Sequence, residues 1–298
     1  MSGFSAIDLT QLEAPDIIEP LDYEHILAAM IEDLKNRSEQ FTAVIESDPV
    51  MKILEVAAYR ELMLRARIND ASKAVMLAYA QGSNLDHLAG NFGVQRQLVD
   101  PGDDQAIPPI PPTFEGDDRL RKRTQLSLEG HSTAGPIGSY LFHALATNAD
   151  VKDVDVASPH PGEVVVTVLS HFGVGEPSDE LVAAVSVRLN DQTVRPLTDH
   201  VSVQAASVLA YDVEAELILY EGPDAEVVRQ AALQRVNEFV EQHHLLGNDI
   251  TLSGLYAALH QAGVQRVVLH RPTSDIVIAP HQAAWCREVN VVIGGRDE

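Results

Sequence analysis

PVMKILEVAAYRELMLRARINDASKAVMLAYA, residues 49–80, decides the reading of this chain. Ser47 or Asp48 stands where an N-cap belongs, Pro49 takes the first helical position, and Gly82 supplies a stop. The spacing predicts one helix of about 32 residues, about 48 Å long. Val50, Leu54, Ala57, Glu61, Leu64, Ile68, Ala71, Val75 and Ala78 alternate by four and three, a heptad seam with one polar break at Glu61. Other faces are apolar too, at Ile53, Val56, Leu62, Met63, Met76, Leu77 and Tyr79. A helix apolar on several sides must be covered on several sides. Either other helices of the same chain close a bundle around it, or other chains do. Residues 1–99 offer only two or three further short helices. That favours the second reading, so the seam residues are expected to bind partner helices.

One short helix precedes the long one. Asp22 can cap it, and Tyr23, Ile26, Leu27, Met30, Ile31 and Leu34 recur at helical spacing. Charge divides the same region. Residues 1–50 hold 11 acids and 2 bases, whereas residues 51–99 hold 4 acids and 6 bases, so the long helix lies in a net-positive stretch. Arg60, Arg65, Arg67 and Lys73 are expected to pair with acidic helices and to set register more than stability.

Beyond it, DPGDDQAIPPIPPTFEGDD (100–118) carries five prolines, which argue against helix and central strand. It reads as an extended, semi-rigid spacer that lets rigid parts reorient. Residues 119–207 and 208–298 then read as two small α+β modules. In the first, helices are expected at 119–128 and 136–147, then the hairpin VKDVDVAS–PHPG–EVVVTVLS, a helix capped by Ser178, and a strand at 200–206. In the second, a strand at 213–220 leads to a long helix ending near His244, a short helix at 253–262, and strands at 264–269, 275–278 and 288–293. SYLFHALATNADVKDV (139–154) echoes SGLYAALHQAGVQRV (253–267), and SPHPGEVVV (158–166) echoes HRPTSDIVI (270–278). The fold class is therefore α+β, with an N-terminal helical region at 1–99, the spacer and two related modules.

Composition narrows function. The chain of 298 residues is 45% apolar with few aromatics and carries a formal net charge of −23, which repels nucleic acid and anionic membrane. MSGFSAIDLTQLEAPD lacks the basic and apolar regions of a signal peptide, and no stretch reaches 18 apolar residues. Cys286 stands alone, so it can form no internal disulfide, and it reads as a small strand-core hydrophobe more than a nucleophile. Phosphate-loop, dinucleotide and HExxH patterns are absent. GHSTAG around Ser132 fails as a nucleophile elbow, because Ala134 stands where glycine is needed.

His243 and His244 are adjacent on a helix and cannot chelate from one face. His160 and His171 flank a hairpin strand, and Asp153 and Asp155 share a strand face, but no metal-ligand spacing emerges. The basic residues Arg119, Arg121, Lys122 and Arg123 follow Asp103, Asp104, Asp117 and Asp118 and read as a locally neutralised helix face. No cofactor or metal is expected. The competing class is an acidic cytosolic enzyme, hydrolase-like, using His and Asp residues.

ESDPVMKILEVAAYRELMLRARINDASKAVMLAYAQGSNLDHLAGNFGVQR (46–96) strongly resembles the diagnostic stretch of the baseplate assembly protein J family of contractile-tailed phages and R-type pyocins. DDRLRKRTQLSLEGHSTAG, VKDVDVASPHPGEVVV, VRPLTDHVSV and EVNVVIGGRDE extend the resemblance, in order, over nearly the whole chain. The resemblance implies a structural wedge subunit without catalytic residues, assembled in the host cytoplasm and carried in the tail particle. It implies N-terminal helices in a core bundle with other wedge proteins, and two copies in different conformations in each wedge. It also implies six wedges forming an inner ring around the hub and spike, with the α+β modules making ring contacts.

Overall fold

A computed structural model describes residues 19–38, 41, 45–131, 136–222 and 224–297, with 7, 9, 12, 13, 15 and 17 before them. Ser132 and the segment 132–135 lie outside the described residues. Backbone contacts divide the chain into two compact units. The smaller holds 6–96 and 116–124, and the larger holds 97–115 and 125–298.

In the smaller unit, α1 (Tyr23–Arg37) starts where the Asp22 side chain accepts the His25 N–H at 3.0 Å. The helix α2 (Pro49–Ala74) starts with the Asp48 carboxylate accepting the Val50 N–H at 2.9 Å and Pro49 in the first turn. It ends at Ala74, six residues before the expected stop, so Val75 is its cap and Ala78 lies in the turn beyond it. The turn that follows is held from a distance. Arg121 of α4 (Asp117–Leu126) donates to the carbonyl oxygens of Leu77 and Ala80, each at 2.8 Å. Those carbonyls are satisfied without a continuing helix, and the chain turns into α3 (Gly82–Gly90).

Arg96 bridges Asp86 and Asp117, each at 2.7 Å, while Asp117 also accepts the Gly82 N–H at 3.0 Å. That backbone donor first, and Arg96 second, hold the Asp117 carboxyl below its usual range. The expected neutralised basic face is thus a set of clamps. Arg121 pairs with Asp118 at 2.7 Å, and Arg123 is buried, donating to the Gln95 carbonyl at 3.1 Å.

The proline-rich stretch is not an extended rod. β1 (Leu98–Asp100) pairs antiparallel with β2 (Thr113–Phe114), and Asp103 and Ile110 exchange two backbone hydrogen bonds of 2.9 Å. Gly102 sits at φ +70, and a Cβ there would run into the Ile110 carbonyl. Prolines 108, 109, 111 and 112 occupy positions that need no N–H donor. The hairpin base is tied down by Gln97, whose side chain donates to the Ala146 carbonyl at 2.9 Å.

Two small sheets follow. In the first, α5 (Ile137–Leu145) and α6 (Asp179–Leu189) pack on β3 (Val151–Ala157), β4 (Glu163–Ser170) and β5 (His200–Ala205), in the order β3-β4-β5. β3 is antiparallel to β4, and β5 is parallel to it. In the second, α7 (Ala225–His243) and α8 (Leu252–Leu259) pack on β6 (Ser207–Leu219), β7 (Val264–Arg271) and β8 (Gln282–Arg296), in the order β7-β6-β8. β7 is antiparallel to β6 and β8 parallel. Tyr211, Val213, Ala215, Leu217 and Leu219 alternate into the core, with Asp212, Glu214 and Glu216 on the other face.

The expected internal echo survives for α5–β3 against α8–β7, and then fails. The region 275–278 is no strand but a single bridge, Ile250 to Ile276. The partner of β7 is β6, which precedes it in sequence, so the two sheets share an arrangement with permuted chain order. β5 and β6 also form one nearly unbroken strand interrupted at Ala206, whose N–H bonds the Val168 carbonyl while the Ser207 N–H bonds the His281 carbonyl. The expected strand at 213–220 was the second half of this longer run.

Replacing Arg121 by alanine leaves two carbonyls without their charged donor. Urea unfolding followed by circular dichroism should show a loss of about 2 kcal/mol, and Arg121→Lys should recover only part of it, because one ammonium lacks the guanidinium fork. A midpoint unchanged in Arg121→Ala would remove this account of how the turn after α2 is held.

Candidate partner-binding face

The first helix covers one side of α2. Ile26, Leu27 and Ala58 are buried together, with Tyr23, Met30, Ile31, Met51, Leu54 and Leu62 packed around them. Positions 51, 54, 58 and 62 form the stripe that α1 takes. Further along the same side, Asn69 is buried and exchanges hydrogen bonds with the Glu19 backbone, donating at 2.8 Å and accepting at 3.1 Å. Arg65 reaches Glu19 at 2.8 Å and also pairs with Glu61 one turn back.

The opposite side is bare. Ile53 is 69% exposed, Leu64 61% and Ile68 55%, and Val56, Tyr59 and Met63 are exposed beside them. At about 100° per residue Ile53, Val56, Met63 and Leu64 lie across the helix from Met51, Ala58 and Leu62, with Tyr59 and Ile68 on the two flanks. Arg60 and Arg67 are exposed within the same strip and enter no ion pair among the described residues. The surface is therefore greasy, elongated and positively charged. Burying one such aliphatic side chain is worth about 1.5–3 kcal/mol, and a strip of this kind on a soluble chain marks an interaction surface.

The predicted seam straddles the boundary of this face. Val50, Leu54, Ala57 and Glu61 are half-buried, with Leu54 packed against α1. Leu64, Ile68 and Ala71 are exposed, as is Val75 at the helix cap, while Ala78 is half-buried in the following turn. The four-three repeat found the helix but not the side that α1 takes. Tyr59 was the missed member of the open face, since aromatics at flanking positions fall outside a heptad count.

The candidate chemical groups do not converge. His160 is exposed in a turn. Asp153 accepts the Leu246 N–H at 3.2 Å, and burial together with Asp153 raises the Asp155 carboxyl. The Cys286 thiol is half-buried beside the second core and pushed up to about 11, chiefly by burial, so it is no nucleophile at neutral pH. Among the described residues no group of three or more His, Cys, Asp or Glu is placed to hold a metal, and no helix is long and apolar enough to cross a membrane.

Comparison with known proteins gives concordant matches. Residues 46–103 match the Baseplate J-like N-terminal domain, 132–205 the Baseplate J-like central domain, and 211–292 the Baseplate J-like protein C-terminal domain. Baseplate protein J of Escherichia phage P2 is 44% identical over 299 residues, 98% of this chain and 99% of that protein. A chain in the cryo-EM structure of the anti-feeding prophage baseplate, 6-fold symmetrised, is similar at a TM-score of 0.42 and 13% identity, over 60% of this chain and 44% of that one, too weak a likeness to argue from.

Because the α2 strip is already solvated, Leu64→Glu with Ile68→Glu should leave the thermal unfolding of the isolated chain within about 0.5 kcal/mol per site. Ala58→Glu buries a charge against α1 and should cost several kcal/mol, about enough to unfold the smaller unit. Equal effects of the two changes on the melting curve would show that the strip is covered in solution.

Proposed function

The chain belongs to the Baseplate J-like family, and from that membership we propose that it is a wedge subunit of a contractile tail whose bare α2 face docks onto helices of other wedge proteins. It is a structural protein of the phage tail baseplate, not an enzyme, and the hydrolase reading falls with that membership. It associates with other baseplate proteins. The finer reading takes in two copies per wedge in different conformations and six wedges forming an inner ring around hub and spike. Assembly takes place in the host cytoplasm before the particle leaves, and the ring stays connected as it opens on contraction.

The observation that carries the docking proposal is the strip Ile53, Val56, Tyr59, Met63, Leu64 and Ile68, exposed on a helix whose other side is packed. Charge supports it. The strip holds Arg60 and Arg67, which enter no ion pair among the described residues, in a stretch (51–99) whose net charge is +2 inside a chain whose total is −23. An acidic helix therefore fits the strip electrostatically, and the arginines set its register while apolar burial supplies the affinity. The role given to the larger unit is that of a rigid ring element. Its support is the nearly continuous run of β5 and β6, which ties the two sheets together.

The test is co-expression of the chain with the other tail proteins, read by size exclusion and by electron microscopy of particles. Leu64→Glu with Ile68→Glu should weaken capture of partner wedge proteins by about 100-fold, about 2.7 kcal/mol, and give tails without baseplates. Wild-type yields of contractile particles from this double variant would refute the docking surface.

A further inference from the structure

Where the two sheets of the larger unit meet, one imidazole is shut in. His244 caps the end of α7 and is 4% exposed. Its Nδ1 lies 2.6 Å from the Ala284 carbonyl oxygen, so Nδ1 carries the proton and donates it. In the neutral ring, Nε2 is then the nitrogen with the lone pair. That nitrogen faces the first sheet, because a Cβ on Gly175 would stand 2.8 Å from it and 2.8 Å from Leu169 Cδ1. Gly175 has φ +103, a conformation that favours glycine, and it brings bare backbone up to the ring. Trp285 meets the ring edge-on, with centroids 5.1 Å apart.

The surroundings are mostly apolar. Leu169, Ala206 and Ala283 are buried together, with Leu246 packed on them. The charges facing His244 are Lys152 on β3 and Glu241 on α7, themselves paired at 3.0 Å across the joint. Asp153 on β3 is engaged by the Leu246 N–H, and His171 after β4 acts on Glu241. His243, the neighbour on α7, turns away to stack on Phe239 at 3.9 Å, with its Nδ1 2.8 Å from the Phe239 carbonyl. From β8, Ala283, Ala284 and Trp285 are placed here.

We infer that His244 is an acid-sensitive latch between the two sheets: a second proton on the ring puts an N–H and a positive charge against Gly175 and Leu169, and the joint loosens at the end of α7. Burial holds the imidazole below its ordinary value of 6.5, and Lys152 acts the same way, against the Ala284 hydrogen bond and Glu241. The sign follows. A folded-state value below the unfolded one favours the neutral ring in the closed joint. This contribution is complete above the unfolded value and is lost as pH falls through the folded one. Lys152 holds Glu241 below the usual carboxylate range.

The chain carries one tryptophan, Trp285, which reports on the ring directly. Its emission should be titrated from about pH 8 to 5 in the full chain, in His244→Asn and in His243→Asn; the window brackets the ordinary imidazole value. The asparagine amide at 244 can donate to Ala284 and cannot titrate. Wild type and His243→Asn should show a transition below 6.5, and His244→Asn should show none. In wild type, hydrogen exchange at 169–175 and 245–247, corrected for its intrinsic pH dependence, should lose about tenfold in protection between about pH 7.5 and 5.5. The latch is disproved by the same Trp transition in a folded His244→Asn, or by unchanged protection in wild type, which needs no variant to fold.

Discussion

A helix with apolar groups all round needs cover all round, and α1 is too short and too narrow to provide it. α1 spans Tyr23–Arg37 and fills one side of α2 from Met51 to Leu62. The buried Asn69 and the Glu19 backbone take over further along the same side. Among the described residues of the smaller unit Ile53, Val56 and Met63 stay exposed and outside the cluster around α1. That imbalance leaves an apolar strip in water, and burial of such a strip is favourable.

The way the smaller unit is closed is equally specific. Arg121, Arg96 and Asp117 use charged hydrogen bonds to hold the turn after α2 and the start of α3. Polar chemistry sets the geometry here while apolar packing supplies most of the stability, a division that leaves the strip free of structural duties.

Local signals were legible in the sequence wherever the deciding contacts were local. Asp22, Asp48 and Ser178 cap helices as their spacing implies, and the β3–β4 hairpin follows from its turn and alternation. Distant partners hid the rest. The turn after Ala74 is held by Arg121, far along the chain. The first half of β8, QAAWCR, lacks strand periodicity and is extended because Ser207–Tyr211 pairs with it. The proline run concealed a hairpin because the bonds that close it come from Asp103 and Ile110, not from the prolines. For the candidate site, the heptad count mixed half-buried positions such as Leu54 with exposed ones such as Leu64, since residue spacing carries no information about which flank a neighbour will occupy.

The strand shared by the two sheets also constrains the order of events during synthesis. β6 is the central strand of its sheet, and its parallel partner β8 (Gln282–Arg296) is synthesised only after α7, α8 and β7. Until it emerges, one flank of β6 has no ladder partner, while β5, continuous with it, can already be paired to β4. At about 5–20 residues per second this leaves an open β-edge on the nascent chain for several seconds. Truncations near the C-terminus would make that transient edge permanent, and self-association of unfinished chains is the hazard that follows.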